Sequence, residues 1–207
     1  GSDTMTHELL RTEVLGVARV LLAAGLTIGN SGSVSARVGE TGGHVILAIT
    51  PHGRYYDELT PYDIIVVDEA GVPIEGKGLP PAEWRLHVAV YRARSDVNAV
   101  IHTHPPMGSA MAVVGRPIPP ILEDQLIFLG GQIKVAPHAV ASSGEQASCA
   151  VEALDGRNAC LLANHGVLTV GKDLKAALVA CQYLEKLSMA FLYATWAGRV
   201  NILPSSD

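Results

Sequence analysis

The chain is short of charge, of cysteine and of long apolar runs, and each shortage removes a class of protein. Only 17% of its 207 residues are charged, and 15 Lys and Arg against 20 Asp and Glu leave a formal net charge of −5. No Lys/Arg cluster accompanies that mildly acidic balance, which argues against nucleic acid or an anionic membrane surface as the main partner. With 48% hydrophobic residues and 21 glycines, the chain has the composition of a packed domain and not of a disordered segment. No apolar run reaches about 18 residues, so no transmembrane helix is expected. Gly1-Ser2-Asp3-Thr4-Met5 has neither the basic nor the apolar part of a signal peptide. Residues 1–5 read as a vector remnant, and 6–207 as one catalytic domain with a substantial core. The three cysteines (Cys149, Cys160, Cys181) are odd in number and lack Cys-x-x-Cys spacing. They read as reduced, buried thiols of a cytoplasmic protein. No Ser or Cys sits in a nucleophile-elbow context, which counts against Ser-His-Asp chemistry.

What is present centres on Val100-Ile101-His102-Thr103-His104-Pro105-Pro106. An apolar, β-branched run leads into two histidines one residue apart. Side chains alternate along a strand, so both imidazoles point to one side, and the prolines stop the strand there. Two imidazoles side by side suit a divalent metal, although a solvated pair on a strand face has the same spacing. Elsewhere the spacing of Leu10, Val14, Val17, Ala18 and Leu21 predicts a helix over 6–24, ended by Gly25. Gly29-Asn30-Ser31-Gly32-Ser33-Val34-Ser35 suits an anion-binding loop or, more simply, a turn into a strand. Strands are expected at 44–49, 64–67, 133–135 and 159–163, with a hairpin-like return at Gly71. Leu79-Pro80-Pro81-Ala82-Glu83 should open a helix running to about Ala93, with Glu83 and His87 one turn apart. Further helices are expected at 107–114, at 121–129, at 143–154 behind Ser142 or Ser143, and at 173–197 from Asp173. There is no internal repeat or low-complexity linker. The pattern is that of a mixed α/β sandwich.

His165 stands like the earlier pair, where an apolar strand ends at Asn164-His165-Gly166. Three neutral imidazoles at strand ends would leave a coordination position open, the catalytic arrangement for zinc. Glu83 would be a fourth ligand or a base beside the metal. Such a site polarises a carbonyl oxygen, and the carboxylate can take a proton from the neighbouring carbon. Aldol cleavage, some epimerisations and β-keto-type decarboxylations share that requirement. His7, His44 and His138 carry no spacing signal.

The ordered set Leu79-Pro80-x-x-Glu83-Trp84-Arg85-x-His87, His102-Thr103-His104 and Asn164-His165-Gly166 resembles the class II aldolase/adducin family, over about residues 7–197. The resemblance implies a single-domain α/β/α sandwich with a mainly antiparallel central sheet. It also implies a homotetramer with active sites between subunits. By the same likeness His102, His104 and His165 hold one divalent metal per chain, zinc first, with Mn, Co or Fe as alternatives. Glu83 becomes the acid/base. Adducin-like members that are not enzymes lack these ligands, and this chain keeps them.

Departures from the family's sugar-phosphate aldolases bear on the substrate. The positions that correspond to their phosphate pocket are Asn30, Ser33, His52, Gly53, Pro81 and Ala82. Ser33 stands for an asparagine, His52 for a threonine, and Pro81 and Ala82 for two serines. Charge-assisted hydrogen bonds of the kind removed are worth roughly 1.5–3 kcal/mol each. A tyrosine given by the neighbouring subunit has no match, and Glu123 takes its place. The resulting expectation is a metal-dependent carbon–carbon lyase, foremost an aldolase cleaving a small hydroxy-carbonyl compound that is not an ordinary sugar phosphate. A metal-dependent decarboxylase of a hydroxylated aromatic or heteroaromatic acid is the alternative. Behind it stand a sugar-phosphate aldolase or epimerase with a rebuilt phosphate site, and a non-catalytic assembly module.

Overall fold

A computed structural model describes residues 7–204, so the expected remnant at 1–5 lies outside the described residues. The chain opens with helix α1 (Glu8–Ala23) and four strands, β1 (Ser33–Thr41), β2 (His44–Ile49), β3 (Ile65–Asp68) and β4 (Pro73–Glu75). Helix α2 (Trp84–Ala93), strand β5 (Ala99–Thr103) and helix α3 (Pro106–Val114) follow. Then come one π-helical turn (Gln125–Leu129), β6 (Val135–Ala136), α4 (Gly144–Leu154), the hairpin of β7 (Ala159–Leu162) and β8 (Gly166–Gly171), and α5 (Leu174–Ala197). All eight strands join one sheet in the order β4-β3-β2-β1-β5-β8-β7-β6. Every neighbouring pair is antiparallel except β6 with β7.

Period-two alternation decides which helix each strand residue meets. Val45, Leu47 and Ile49 of β2 and Val100 of β5 face Leu86 and Val90 of α2 and Ala150 and Leu154 of α4. Ala48, with Val34 and Ala36 of β1, faces the opposite way, onto Val14, Ala18 and Leu21 of α1 and Ala177 and Cys181 of α5. Met111 and Ala112 of α3 extend that second layer with Leu184 and Leu187 of α5. The result is an α/β/α sandwich, with α2 and α4 on one face and α1, α3 and α5 on the other. Leu86 is 1% exposed between layers; its truncation to Ala would cost about 2–5 kcal/mol.

Local signals account for the ends of these elements. Gly25 has φ 68, and Leu26 returns its N–H to the Leu21 carbonyl at 2.9 Å, closing α1. Asp173 accepts the Ala176 N–H at 2.7 Å and starts α5. Ser143, and not Ser142, caps α4. Pro106 opens α3 at its first position, where a missing N–H costs nothing.

The structure departs from the sequence expectation in several places: β8 is a strand the sequence reading leaves unassigned, and the strand expected at 133–135 is the two-residue β6 at Val135–Ala136. Helix α2 begins at Trp84, not at the proline pair, and Glu83 is its N-cap. A residue before proline is pushed out of the α region, so Leu79 and Pro80 lie outside the helix. Within residues 121–129 only Glu123 and Asp124 are α-helical before the chain widens into the π turn. There the Gln125 side chain bonds the carbonyls of Pro119 and Gly131 at 3.1 and 2.9 Å. Among the described residues, no helix is long and apolar enough to cross a membrane.

Candidate metal centre

His102 lies near the middle of the sheet, paired with Ser33 of β1 on one side and Leu168 of β8 on the other. It shares its face with Val100, beneath α2 and α4. His104 follows just past the strand end, and the two rings stand 4.8 Å apart. The tight turn between β7 and β8 brings the third ring. Asn164 takes a left-handed φ of 57, a conformation asparagine tolerates, and swings His165 over the strand ends. The His165 ring lies 4.8 Å from that of His102 and 4.9 Å from that of His104. Gly166 makes this possible, because a Cβ there would lie 2.5 Å from the His104 ring. From the start of α2, the Glu83 carboxylate reaches down to both imidazoles. One oxygen is 3.0 Å from His102 Nε2, the other 3.3 Å from His165 Nε2.

Hydrogen bonding sets the chemistry of this group. His102 Nδ1 donates to the Val167 carbonyl at 2.9 Å, so its Nε2 is bare when the ring is neutral. His104 Nδ1 meets the Ser31 hydroxyl at 2.7 Å, and its Nε2 faces that of His102 at 3.1 Å. Lone pairs and carboxylate oxygens thus converge with few protons to share. One proton can relieve one such contact, whereas a divalent cation relieves all of them. Ligand atoms about 2.0–2.1 Å from a tetrahedral zinc stand roughly 3.3–3.4 Å from one another. The contacts of 3.0, 3.1 and 3.3 Å approach that edge length. The three histidines therefore form a group that could hold a metal ion, with Glu83 against it.

The surroundings bias Glu83, His104 and His165 toward a ligand's charge state. Burial works to raise the Glu83 carboxyl, but the hydrogen bond and charge of His102, then His165 and Gln146, outweigh it and bring it down to about 2. Burial, followed by repulsion from His102 and His165, lowers His104 to about 4. Burial and the neighbouring His102 likewise lower His165. Neutral imidazoles beside an ionised carboxylate are the forms that bind cations.

The remaining candidates lie around this group or apart from it. Asn30, His52, Gly53 and Ala82 are exposed, and Pro81 is buried. His52 donates its backbone N–H to the Leu79 carbonyl at 2.8 Å, tying its turn to the stretch that leads into Glu83. Ser33 is 1% exposed, and its hydroxyl is taken by His87 Nε2 at 2.7 Å. Glu123 is exposed beside the π turn and is not a member of the histidine group. His87, one turn beyond Glu83, is fully buried. Its other nitrogen meets Ser35 at 2.7 Å, and that hydroxyl meets Tyr91 at 2.8 Å. Sequence reasoning passed over two residues that touch the group, Ser31 and Gln146. Ser31 adjoins a named candidate. Gln146 is the last residue of Ser143-x-x-Gln146, a helix-start signature that places its side chain in the first turn of α4.

A sandwich of this topology, with imidazoles gathered at the ends of β5 and β7, defines a fold with one potential metal centre among the described residues. Residues 12–192 match the family described as Class II Aldolase and Adducin N-terminal domain, and the chain belongs to that family. It is 34% identical over 198 residues to a 5-methylthioribulose-1-phosphate/5-deoxyribulose-1-phosphate aldolase of Rhodospirillum rubrum, covering 96% of this chain and 87% of that protein. It is 34% identical over 188 residues to an L-fuculose phosphate aldolase of Escherichia coli O6:H1, covering 91% of this chain and 85% of the relative. A solved L-fuculose 1-phosphate aldolase superposes with a TM-score of 0.89 at 30% identity, over 99% of this chain and 94% of the other. This kinship supports a lyase.

Proposed function

We propose that the protein is a divalent-metal-dependent aldolase. It would cleave or form a carbon–carbon bond in a small hydroxy-carbonyl compound. The observation that carries this reading is the convergence of three imidazole Nε2 atoms with the Glu83 carboxylate. His102, His104 and His165 would hold the ion, zinc in the first instance. When bound, the ion supplies Lewis-acid polarisation of a carbonyl oxygen. Glu83 does the proton work. Ionised and 15% exposed, it takes a proton from the carbon beside the substrate carbonyl during condensation and returns it during cleavage. Ser31 and the Val167 carbonyl hold two of the rings by their Nδ1 atoms, which fixes the direction in which Nε2 points.

The substrate end is proposed to lie along Asn30, His52, Gly53, Pro81 and Ala82. Pro81 has no N–H, Ala82 has no hydroxyl, and the Ser33 hydroxyl is engaged by His87. Donors at these positions include the Asn30 amide, the His52 ring and the backbone N–H groups of Gly53 and Ala82. That set favours a substrate other than an ordinary sugar phosphate. A second reading, a sugar-phosphate aldolase with a rebuilt phosphate site, is favoured by the names of the relatives from Rhodospirillum rubrum and Escherichia coli. We further propose a homotetramer with sites between subunits. Met189, Tyr193 and Trp196 of α5 are 40%, 55% and 85% exposed, apolar surface suited to a second copy. Glu123, exposed, would act across that boundary.

A substrate panel tests the reading. Zinc-loaded protein is offered sugar 1-phosphates, unphosphorylated hydroxy-keto acids and hydroxyaryl carboxylates, and aldehyde and carbon dioxide are measured. Aldehyde from the unphosphorylated compounds is expected. Efficient aldehyde release from a sugar phosphate selects the second reading. Carbon dioxide from a hydroxyaryl carboxylate makes the protein a decarboxylase.

A further inference from the structure

Helix α3 touches the surroundings of every histidine in the group. Its first residue, Pro106, stands two places beyond His104. Gly108 presses on β8, where an added Cβ would lie 2.6 Å from Val167 Cγ1. The carbonyl of that same Val167 accepts the His102 Nδ1 proton. Farther along α3, the Ala112 carbonyl accepts the Asn164 N–H at 3.0 Å, in the turn that carries His165. A helix of nine residues draws little stability from its own ladder, so the groups that hold its ends decide where it lies.

The start of α3 has no local holder. Pro105, its N-cap, offers no side-chain acceptor, and Pro106 has no N–H. The N–H groups of Met107 and Gly108 instead donate to Oε1 of Glu185 on α5, at 2.5 and 3.0 Å. One turn earlier on α5, Cys181 Sγ meets the Oγ1 of Thr103, the residue between the two histidines, at 3.7 Å. Glu185 Oε2 is buried and meets no hydrogen-bond partner among the described residues. Burial pushes this carboxyl above the usual carboxylate range, and the Gly108 and Met107 N–H bonds pull it back. A glutamate that served only α5 would keep its charge in water. This one gives up solvent to cap another helix.

We propose that Glu185 is a positioning residue that, by capping α3 from α5, fixes the platform on which the three imidazoles are set. This rests on the metal-dependent reading above. Zinc affinity of the metal-stripped protein is read by competition with a chelating dye, and ligand geometry by the visible absorption of the cobalt(II)-loaded protein. Glu185→Ala should bind zinc about tenfold more weakly and shift the cobalt bands. Glu185→Gln keeps an acceptor for the two N–H groups and should return zinc affinity to within about threefold of wild type, with wild-type cobalt bands. Asp173→Ala is the control, because it removes the cap of α5 at the Ala176 N–H. It should lower the urea midpoint and leave zinc affinity and the cobalt bands unchanged.

A folded Glu185→Ala protein with wild-type zinc affinity and cobalt bands overturns the proposal, whatever its urea midpoint. So does an equal loss of zinc affinity in Asp173→Ala, which would tie metal binding to helix capping in general. A glutamine variant as weak as the alanine one also overturns it, because the loss then follows charge and not the bond. If Glu185→Ala does not fold, Glu185→Asp decides: it is one methylene shorter, and wild-type zinc affinity in it overturns the proposal. Wild-type protein that takes up no zinc overturns the metal reading itself, and this inference with it.

Discussion

Two clusters of buried histidine chemistry lie one helical turn apart in this molecule. The first joins His87 to Ser33, Ser35 and Tyr91. The second joins Glu83 to His102, His104 and His165. In the first, both ring nitrogens of His87 meet serine hydroxyls at 2.7 Å, and the chain of bonds closes on Tyr91. In the second, the Nε2 atoms of His102 and His104 face each other at 3.1 Å, and Glu83 oxygens fill the remaining approaches. Hydroxyls can donate and accept, so the first cluster balances itself. Nitrogen lone pairs and a carboxylate cannot, so the second is suited to a cation. Burial alone does not mark a functional histidine. The character of its partners does.

Removing members from each cluster should therefore have different consequences. The largest effect is expected for His102→Ala, which takes away the most buried imidazole of the open cluster. Zinc content by elemental analysis should fall from about one per chain to near none, with turnover down by more than about 10³-fold. Glu83→Gln should keep its zinc and lose about 10²–10⁴-fold in kcat, because it removes the proton carrier and leaves the three nitrogens. Equal loss of metal in both variants would merge roles the comparison keeps apart. In the closed cluster, Ser35→Ala leaves His87 Nδ1 and the Tyr91 hydroxyl without their partner. About 1–3 kcal/mol of stability should go, seen as a lower urea midpoint, with zinc content unchanged.

Acid should also distinguish the clusters. Burial, then repulsion from His102, lowers His87 from the ordinary 6.5 to about 3, against a raising pull from Glu83. Above pH 6.5 neither the native nor the unfolded chain protonates this ring. As pH falls from 6.5 toward 3, the unfolded chain takes a proton that the native state refuses, so stability is lost across that window at up to about 1.4 kcal/mol per pH unit. Thermal melts of the metal-free protein across this range should show the decline, and a His87→Asn variant should show a shallower one. The smallest effect is expected far from both clusters. Gly16 sits inside α1 with nothing within 4 Å of an added Cβ. Gly16→Ala should stabilise by about 0.5–1 kcal/mol and leave zinc content and kcat alone.

Much of this arrangement can be read from the sequence because its signals are local. The His-x-His spacing on a β-branched run puts both rings on one face. Asp173 and Gly25 mark helix ends by their own chemistry. The period of Val45, Leu47 and Ile49 assigns a strand face without knowledge of its neighbours. Where two local rules compete, the start of an element is less legible. Proline favours a first helical turn, yet it bars the residue before it from helical geometry, so α2 starts at Trp84 and leaves Glu83 at the cap. The long-range hydrogen-bond partners that support these side chains were not legible. Nothing near Ser33 announces that its hydroxyl will be met by His87, 54 positions on. Nothing near Gln146 announces Glu83, 63 positions back. Such pairs exist only once β1, β5 and α4 are packed against α2, and they separate a ligand histidine from a structural one.

The most direct test is a calorimetric titration of metal-stripped wild-type protein with zinc. One tight site per chain is expected, lost in His102→Ala and kept in Glu83→Gln and Ser35→Ala. A folded wild-type protein that binds no zinc, or that binds it as well after His102→Ala, would contradict the assignment of the open cluster as the metal centre.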